Sequence, residues 1–173
     1  MKMNIDVNPA TWRSAVCGSG TMGIGIAITI ARAGIRVALH DVSAPALQRA
    51  RAQIEAFFQT SVDKGKLRPE AALAILAKIS YVEDAGALAD CDVVVEAIYE
   101  DLAAKHALLA GLDRICKPDA LFLTNTSTLS ITEIAAGSGR PDRVVGTHYC
   151  LPAQLMRLVE MSRGMQTGDA AWA

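Results

Sequence analysis

Three glycines and a carboxylate hold the spacing in this sequence that most directly implies chemistry. Gly18, Gly20 and Gly23 stand in S-A-V-C-G-S-G-T-M-G, from Ser14 to Gly23. A short apolar run (Ala15, Val16, Cys17) precedes them, and a long one from Ile24 to Ala33 follows. G-x-G-x-x-G between a strand and a helix is a cradle for a dinucleotide pyrophosphate. The first glycine permits the tight turn out of the strand. The second lets the phosphates approach the backbone, and the third lets the helix pack close to the sheet. Thr21 and Met22 complete the cofactor-binding loop, where a helix N-terminus offers free N–H groups and the positive end of its dipole. Asp41 lies 23 positions after Gly18, at the end of I-R-V-A-L-H. A carboxylate about 20 residues on accepts hydrogen bonds from the adenosine ribose. It would repel a 2′-phosphate, and Val42-Ser43-Ala44 bring no cation. The pattern favours NAD over NADP. A glycine-rich turn with no ligand is the bland alternative, weakened by strand, helix and acid standing in register.

Such residues need a sheet whose strand ends share one edge. Ile35 to His40 reads as the second strand. Ser43 caps a helix with Pro45 in its first turn. Leu47, Ala50, Ile54, Phe57, Phe58 and Val62 recur at helical spacing until Lys64-Gly65-Lys66. Pro69 opens another helix, with Leu73, Leu76 and Ala77 on one side, and Ile79 to Val82 reads as a short strand. A turn of helix over 83–90 leads to V-V-V-E-A-I, Val93 to Ile98. Three consecutive valines mark a strand buried on both faces, as in parallel sheets. A helix over Leu102 to Ile115, a strand over Ala120 to Thr124, a short helix over Ile131 to Ala136 and strands over Val144 to Thr147 and Leu158 to Met161 complete the pattern. Alternating strands and helices predict a Rossmann-type, doubly wound α/β fold, a mostly parallel sheet with helices on both faces. Ligands bind such sheets outside the carboxyl ends of the strands. Gly18, Asp41, Ala97, Asn125 and His148 all fall there, so Ala97 and Asn125 join the cofactor-binding candidates.

The 173 residues fit one domain of ordinary size, or a domain and a fragment. With 51% apolar and 20% charged residues and a net charge of −1, the chain reads as a globular protein with no call for nucleic acid or membrane as partner. The stretch from Met22 to Ala31 is too short to span a bilayer. Met1 to Pro9 lacks the apolar core of a leader, so the expectation is a cytoplasmic protein. Cys17, Cys91, Cys116 and Cys150 show no C-x-x-C spacing and read as structural thiols, with no metal site expected.

Several segments together resemble a known family, the NAD-binding domain of L-3-hydroxyacyl-CoA dehydrogenases. They are G-S-G-T-M-G-I-G-I-A (Gly18 to Ala27), V-V-V-E-A-I-Y-E-D-L (Val93 to Leu102), N-T-S-T-L-S-I-T-E-I-A (Asn125 to Ala135), R-P-D-R-V-V-G-T-H-Y (Arg140 to Tyr149) and L-M-R-L-V-E-M (Leu155 to Met161). The resemblance implies NAD-dependent oxidation of an (S)-3-hydroxyacyl-CoA, with His148 as general base. Glu160 is implied to orient His148, and Ser127 to hydrogen-bond the substrate oxygen. Glu100 and Lys105 are implied at the cofactor–substrate junction, and Lys64 at the coenzyme A phosphates. Standing alone, His148 would be a polar residue after a strand, Ser127 a helix cap, Glu160 a surface charge and Lys64 a solvated helix end. Other readings left open are a dehydrogenase for another 3-hydroxy acid derivative and a non-catalytic NAD-binding module or partner subunit.

Two departures from the family stand out. The family continues its histidine as H-F-x-N-P, and this chain reads His148-Tyr149-Cys150-Leu151-Pro152, with an apolar side chain in place of the amide. The resemblance also implies a helical C-terminal domain that closes over the acyl chain and makes a homodimer. The chain stops at Ala173. The expectation is therefore one NAD-binding domain over 1–173, a part of a longer two-domain enzyme.

Overall fold

The structure is a computed structural model that describes residues 11–172. Ala173 and the segment Met1 to Pro9, read above for a leader, lie outside the described residues. Seven strands form one sheet: β1 (Arg13–Cys17), β2 (Arg36–His40), β3 (Ile79–Val82), β4 (Val93–Glu96), β5 (Leu121–Thr124), β6 (Val144–Tyr149) and β7 (Val159–Arg163). Their order is β3-β2-β1-β4-β5-β6-β7. All neighbours are parallel except β6 and β7. The chain order reverses between β1 and β4, the crevice where doubly wound folds bind ligands.

Strand alternation sorts the core into two layers. Val16, Leu39 and Val95 face a cluster built with Ile26, Ile54 and Phe58, from α1 (Thr21–Arg32) and α2 (Ala44–Asp63). Ala15, Cys17 and Val94 face the opposite cluster, with Leu109 and Leu112 of α4 (Leu102–Ile115) and Ile134 of α5 (Ile131–Ala136). α3 (Pro69–Leu76) adds Ala72 to the first layer. Every residue of β4 is buried, as the triple valine requires. In α2 the buried positions are Leu47, Ala50, Ile54 and Phe58, one helical stripe, and Ser43 Oγ accepts the Ala46 N–H as its cap.

Two elements differ from the sequence expectation. β4 ends at Glu96 rather than Ile98, because the Glu96 carboxylate turns back to accept the Ile98 N–H at 2.9 Å. The last strand runs over Val159–Arg163 and is antiparallel, pairing His148 with Glu160 in register. Nine residues with no helix separate it from β6, too short a connection for a parallel crossover. Past it lies α6 (Asp169–Trp172).

Candidate active site

At the end of β1 the backbone of Gly18 adopts φ of +105°, which L side chains rarely reach, and its N–H donates to His40 O at 2.8 Å. A Cβ on Gly18 would lie 2.5 Å from Ala97 O, and one on Gly23 1.8 Å from Gly18 O. The first and third glycines thus close-pack β1, β4 and α1. Gly20 is different: a Cβ there would meet no protein atom within 4 Å. Gly20 is also the N-cap of α1 and supplies no side chain to its first turn. Open space above an uncapped helix N-terminus is what a pyrophosphate needs, so the loop fits the cofactor. Thr21 is exposed at this end, whereas the Met22 side chain packs against the core, leaving its backbone to the loop.

Asp41 is held ready beside the loop. Its Oδ2 accepts from Ser19 N (2.9 Å) and Ser19 Oγ (2.7 Å), and its Oδ1 from Ser43 N (3.0 Å). Partial burial pushes its carboxyl up, but the Ser19 and Ser43 bonds outweigh this and hold it below the usual carboxylate range. Gly18, Asp41, Ala97 and Leu108 line a cavity of about 450 Å³ between the ends of β1, β2 and β4 and the first turns of α4.

Backbone and side-chain bonds carry the crevice on to β6. Asn125 N donates to Glu96 O at 2.9 Å, and Asn125 Oδ1 accepts from Tyr149 N at 2.9 Å. The Asn125 carbonyl is therefore taken up in joining the exit of β5 to that of β6. His148, 34% exposed, sits between two partners. Its Nδ1 lies 2.7 Å from Glu160 Oε2, and its Nε2 lies 3.0 Å from Ser127 Oγ. An Nδ1–H donated to the carboxylate leaves Nε2 as the acceptor, facing the serine hydroxyl. Ser127 caps no helix. The hydroxyl of Thr126 accepts from Leu129 N, and Ser130 caps α5.

Serine, histidine and carboxylate in line also describe an acyl-transfer triad. The backbone argues against that use. Ser127 N (3.0 Å) and Thr128 N (3.3 Å) both donate to Glu100 Oε1, which also accepts from the Thr126 hydroxyl. The amides beside the serine are thus occupied, and the occupant is a negative charge where an oxyanion would have to form. Burial raises the Glu100 carboxyl, but the Thr126 hydroxyl, the Ser127 amide and Lys105 overcome it and bring it down to about 2.

Lys105 corrects the sequence expectation of a direct ligand contact. Its side chain is 0% exposed. Its Nζ lies 2.7 and 2.8 Å from the two oxygens of Glu96, also fully buried, and 3.2 Å from Glu100 Oε2. An ammonium enclosed by two carboxylates presents nothing to the crevice, so Lys105 reaches the site through Glu100. Glu96 escaped sequence reading, although a carboxylate inside V-V-V-E was a signal: a charge on a strand buried on both faces needs a partner. Lys64 is not brought to this cluster. It is exposed just beyond α2, about 30 Å of helical rise from Ser43, and its side chain has no hydrogen bond or ion pair among the described residues. Burial raises the thiols of Cys17 and Cys91, the latter to about 11, so neither serves as a nucleophile. Leu151 is 61% exposed.

The model of the 3-hydroxyacyl-CoA dehydrogenase NAD binding domain matches residues 13–173. The chain belongs to the 3-hydroxyacyl-CoA dehydrogenase family. Its cofactor is NAD. It is 47% identical over 153 residues to the 3-hydroxyadipyl-CoA dehydrogenase of Escherichia coli, covering 88% of this chain and 32% of that protein. It is 42% identical over 154 residues to a probable 3-hydroxybutyryl-CoA dehydrogenase of Deinococcus radiodurans, covering 89% and 55%. The solved structure of 3-hydroxybutyryl-CoA dehydrogenase from E. coli matches at a TM-score of 0.90 and 45% identity, over 92% of this chain and 34% of that one. The chain thus spans about a third to a half of the length of these family members. No helix among its described residues is long and apolar enough to cross a membrane.

Proposed function

We propose that this domain serves an enzyme that oxidises the 3-hydroxyl of an (S)-3-hydroxyacyl-CoA to the 3-oxo compound. The observation that carries the reading is the line Ser127–His148–Glu160 at the same sheet edge as the glycine loop. NAD, when bound, supplies the hydride acceptor. His148 Nε2 takes the hydroxyl proton as C3 loses hydride, and an imidazole returns it as readily in the reverse direction. Glu160, on Nδ1, fixes the tautomer and stabilises the imidazolium. Ser127 Oγ hydrogen-bonds the substrate oxygen and so holds it within reach of Nε2. Ala97, Glu100 and Asn125 border the nicotinamide end of the cofactor, with Lys105 keeping Glu100 in place. Lys64 meets the coenzyme A phosphates at the far end of α2.

A following helical domain supplies the second wall of the acyl pocket and the homodimer contact, in keeping with the greater length of the relatives. The working location is the cytoplasm. The test is NADH formation by the full-length protein with (S)-3-hydroxybutyryl-CoA, its (R) enantiomer and free 3-hydroxybutyrate. The reading expects turnover with the (S)-thioester well above the other two. Equal rates with the free acid would refute the coenzyme A assignment, and equal rates with the enantiomers the stereochemistry.

A further inference from the structure

The amino ends of the strands, on the edge of the sheet opposite the crevice, carry a row of charge that the proposed reaction does not use. Arg13 and Arg36 are register partners on β1 and β2. Val37 pairs with Ile79, so Lys78, one residue ahead of β3, stands beside Arg36, and its carbonyl accepts the Val37 N–H at 2.9 Å. Adjacent strands lie about 4.8 Å apart, and like charges abreast on them are unfavourable. Of the three, Arg13 alone has an acidic partner, Asp90 Oδ2 at 2.9 Å. Asp92, two residues on, is taken by the Arg13 N–H and the Lys117 ammonium. The side chains of Arg36 and Lys78 have no hydrogen bond or ion pair among the described residues.

These three cations line a cavity of about 240 Å³. The chain path creates it. Residues 83–92 join β3 to β4 through one short turn, the 3-10 helix Ala85–Leu88, where a parallel crossover ordinarily carries an α-helix. Leu88 packs in one cluster with Ala15 and Cys17 of β1. The small side chains of Ala38, Ser80 and Ala87 line the space that remains. We propose that this cavity binds a small phosphate dianion, either free phosphate or the phosphoryl group of a small monoester. Two guanidinium forks and an ammonium match the three terminal oxygens of a phosphoryl group. The bound dianion offsets the repulsion within the row and gives Arg36 and Lys78 the partners they lack. The volume falls below the roughly 300–1,000 Å³ of pockets for drug-sized ligands, which selects a small anion over a nucleotide. Arg13 and Arg36 open β1 and β2, whereas Gly18 and Asp41 follow the far ends of the same strands, so the anion and NAD bind independently.

The experiment follows the backbone amide resonances of this chain by NMR as inorganic phosphate replaces chloride at constant ionic strength. NAD is present in excess, to occupy the N-terminus of α1. Saturable shifts are expected at Arg36, Val37, Ala38, Lys78 and Ser80, with a midpoint on the order of 1–10 mM, as suits a solvated ion on a few charged contacts. Arg36→Gln and Lys78→Gln should each weaken phosphate about tenfold, the scale of one charge-assisted hydrogen bond, and leave NAD affinity unchanged. Glycerol 2-phosphate, titrated in parallel, separates the two sources. Tighter binding than inorganic phosphate assigns the cavity to a monoester, and weaker binding assigns it to the free ion. Shifts without a midpoint, or shifts confined to Gly18, Gly20 and Thr21, overturn the proposal in the wild-type chain whether or not either variant folds. So do variants that fold and bind phosphate as the wild type does.

Discussion

Replacing Lys105 with methionine should destabilise this domain more than almost any other single change to a polar side chain. The ammonium is fully buried, within 2.8 Å of both oxygens of an equally buried Glu96 and 3.2 Å from Glu100 Oε2. Lys105→Met keeps an apolar stem one atom shorter and removes the ammonium, with its charge and its hydrogen bonds to Glu96. Glu96 is left as a buried carboxylate with the Thr124 hydroxyl and the Ile98 amide as its remaining donors. Breaking one side of a buried pair in this way costs about 3–5 kcal/mol. In a domain of this size each kcal/mol moves the melting temperature by about 2–4 °C. The expected fall is therefore roughly 6–20 °C. Adding Glu96→Gln to Lys105→Met removes the stranded charge and should recover much of the loss. The assay is thermal unfolding by circular dichroism at pH 7 for wild type, both single variants and the double. A Lys105→Met melt within the error of wild type, or a double variant less stable than either single, would refute the coupling.

Two glycine substitutions should separate folding from cofactor binding. Gly23→Ala forces a Cβ into the Gly18 carbonyl and should lower the melting temperature, whereas Gly20→Ala meets no protein atom and should leave it unchanged while weakening NAD; calorimetry and unfolding on both variants check this. Asp41→Ala should weaken NAD by about 1–3 kcal/mol and narrow its margin over NADP, read by fluorescence titration. Glu100 has a carboxyl lowered from near 4.5 to about 2, so its stabilisation is present above pH 4.5 and is lost as pH falls toward 2. Wild type and Glu100→Gln should therefore differ in stability at neutral pH and converge across that acid window in denaturant titrations.

Much of the sheet was legible because parallel strands announce themselves as apolar runs. The triple valine of β4 and the glycine loop at the end of β1 mark the crevice in the sequence itself. The direction of β7 was not legible, because period-two patterning is the same in parallel and antiparallel strands, and only the shortness of the connection from β6 decides it. The residues of the site divide along the same line. Asp41 and Gly20 act through positions that a local motif dictates. Lys105 was misplaced because its partner Glu96 lies nine residues away across the turn from β4 into α4, and only the folded chain shows that the two side chains close on each other. Asn125 offered an amide at a strand end, and tertiary pairing with Tyr149 N determined where its carbonyl went.

The most direct test of the account is the turnover of His148→Ala in the full-length enzyme, measured as NADH formation from (S)-3-hydroxybutyryl-CoA with the NAD dissociation constant determined alongside. A positioned general base contributes about 10²–10⁴ in rate. His148 touches Ser127 and Glu160, whereas the glycine loop and Asp41, to which the account assigns the dinucleotide, stand on other strands. The account predicts a loss of at least about a hundredfold in kcat with NAD affinity nearly unchanged, and a smaller loss for Glu160→Gln. Near-normal turnover by His148→Ala would contradict it.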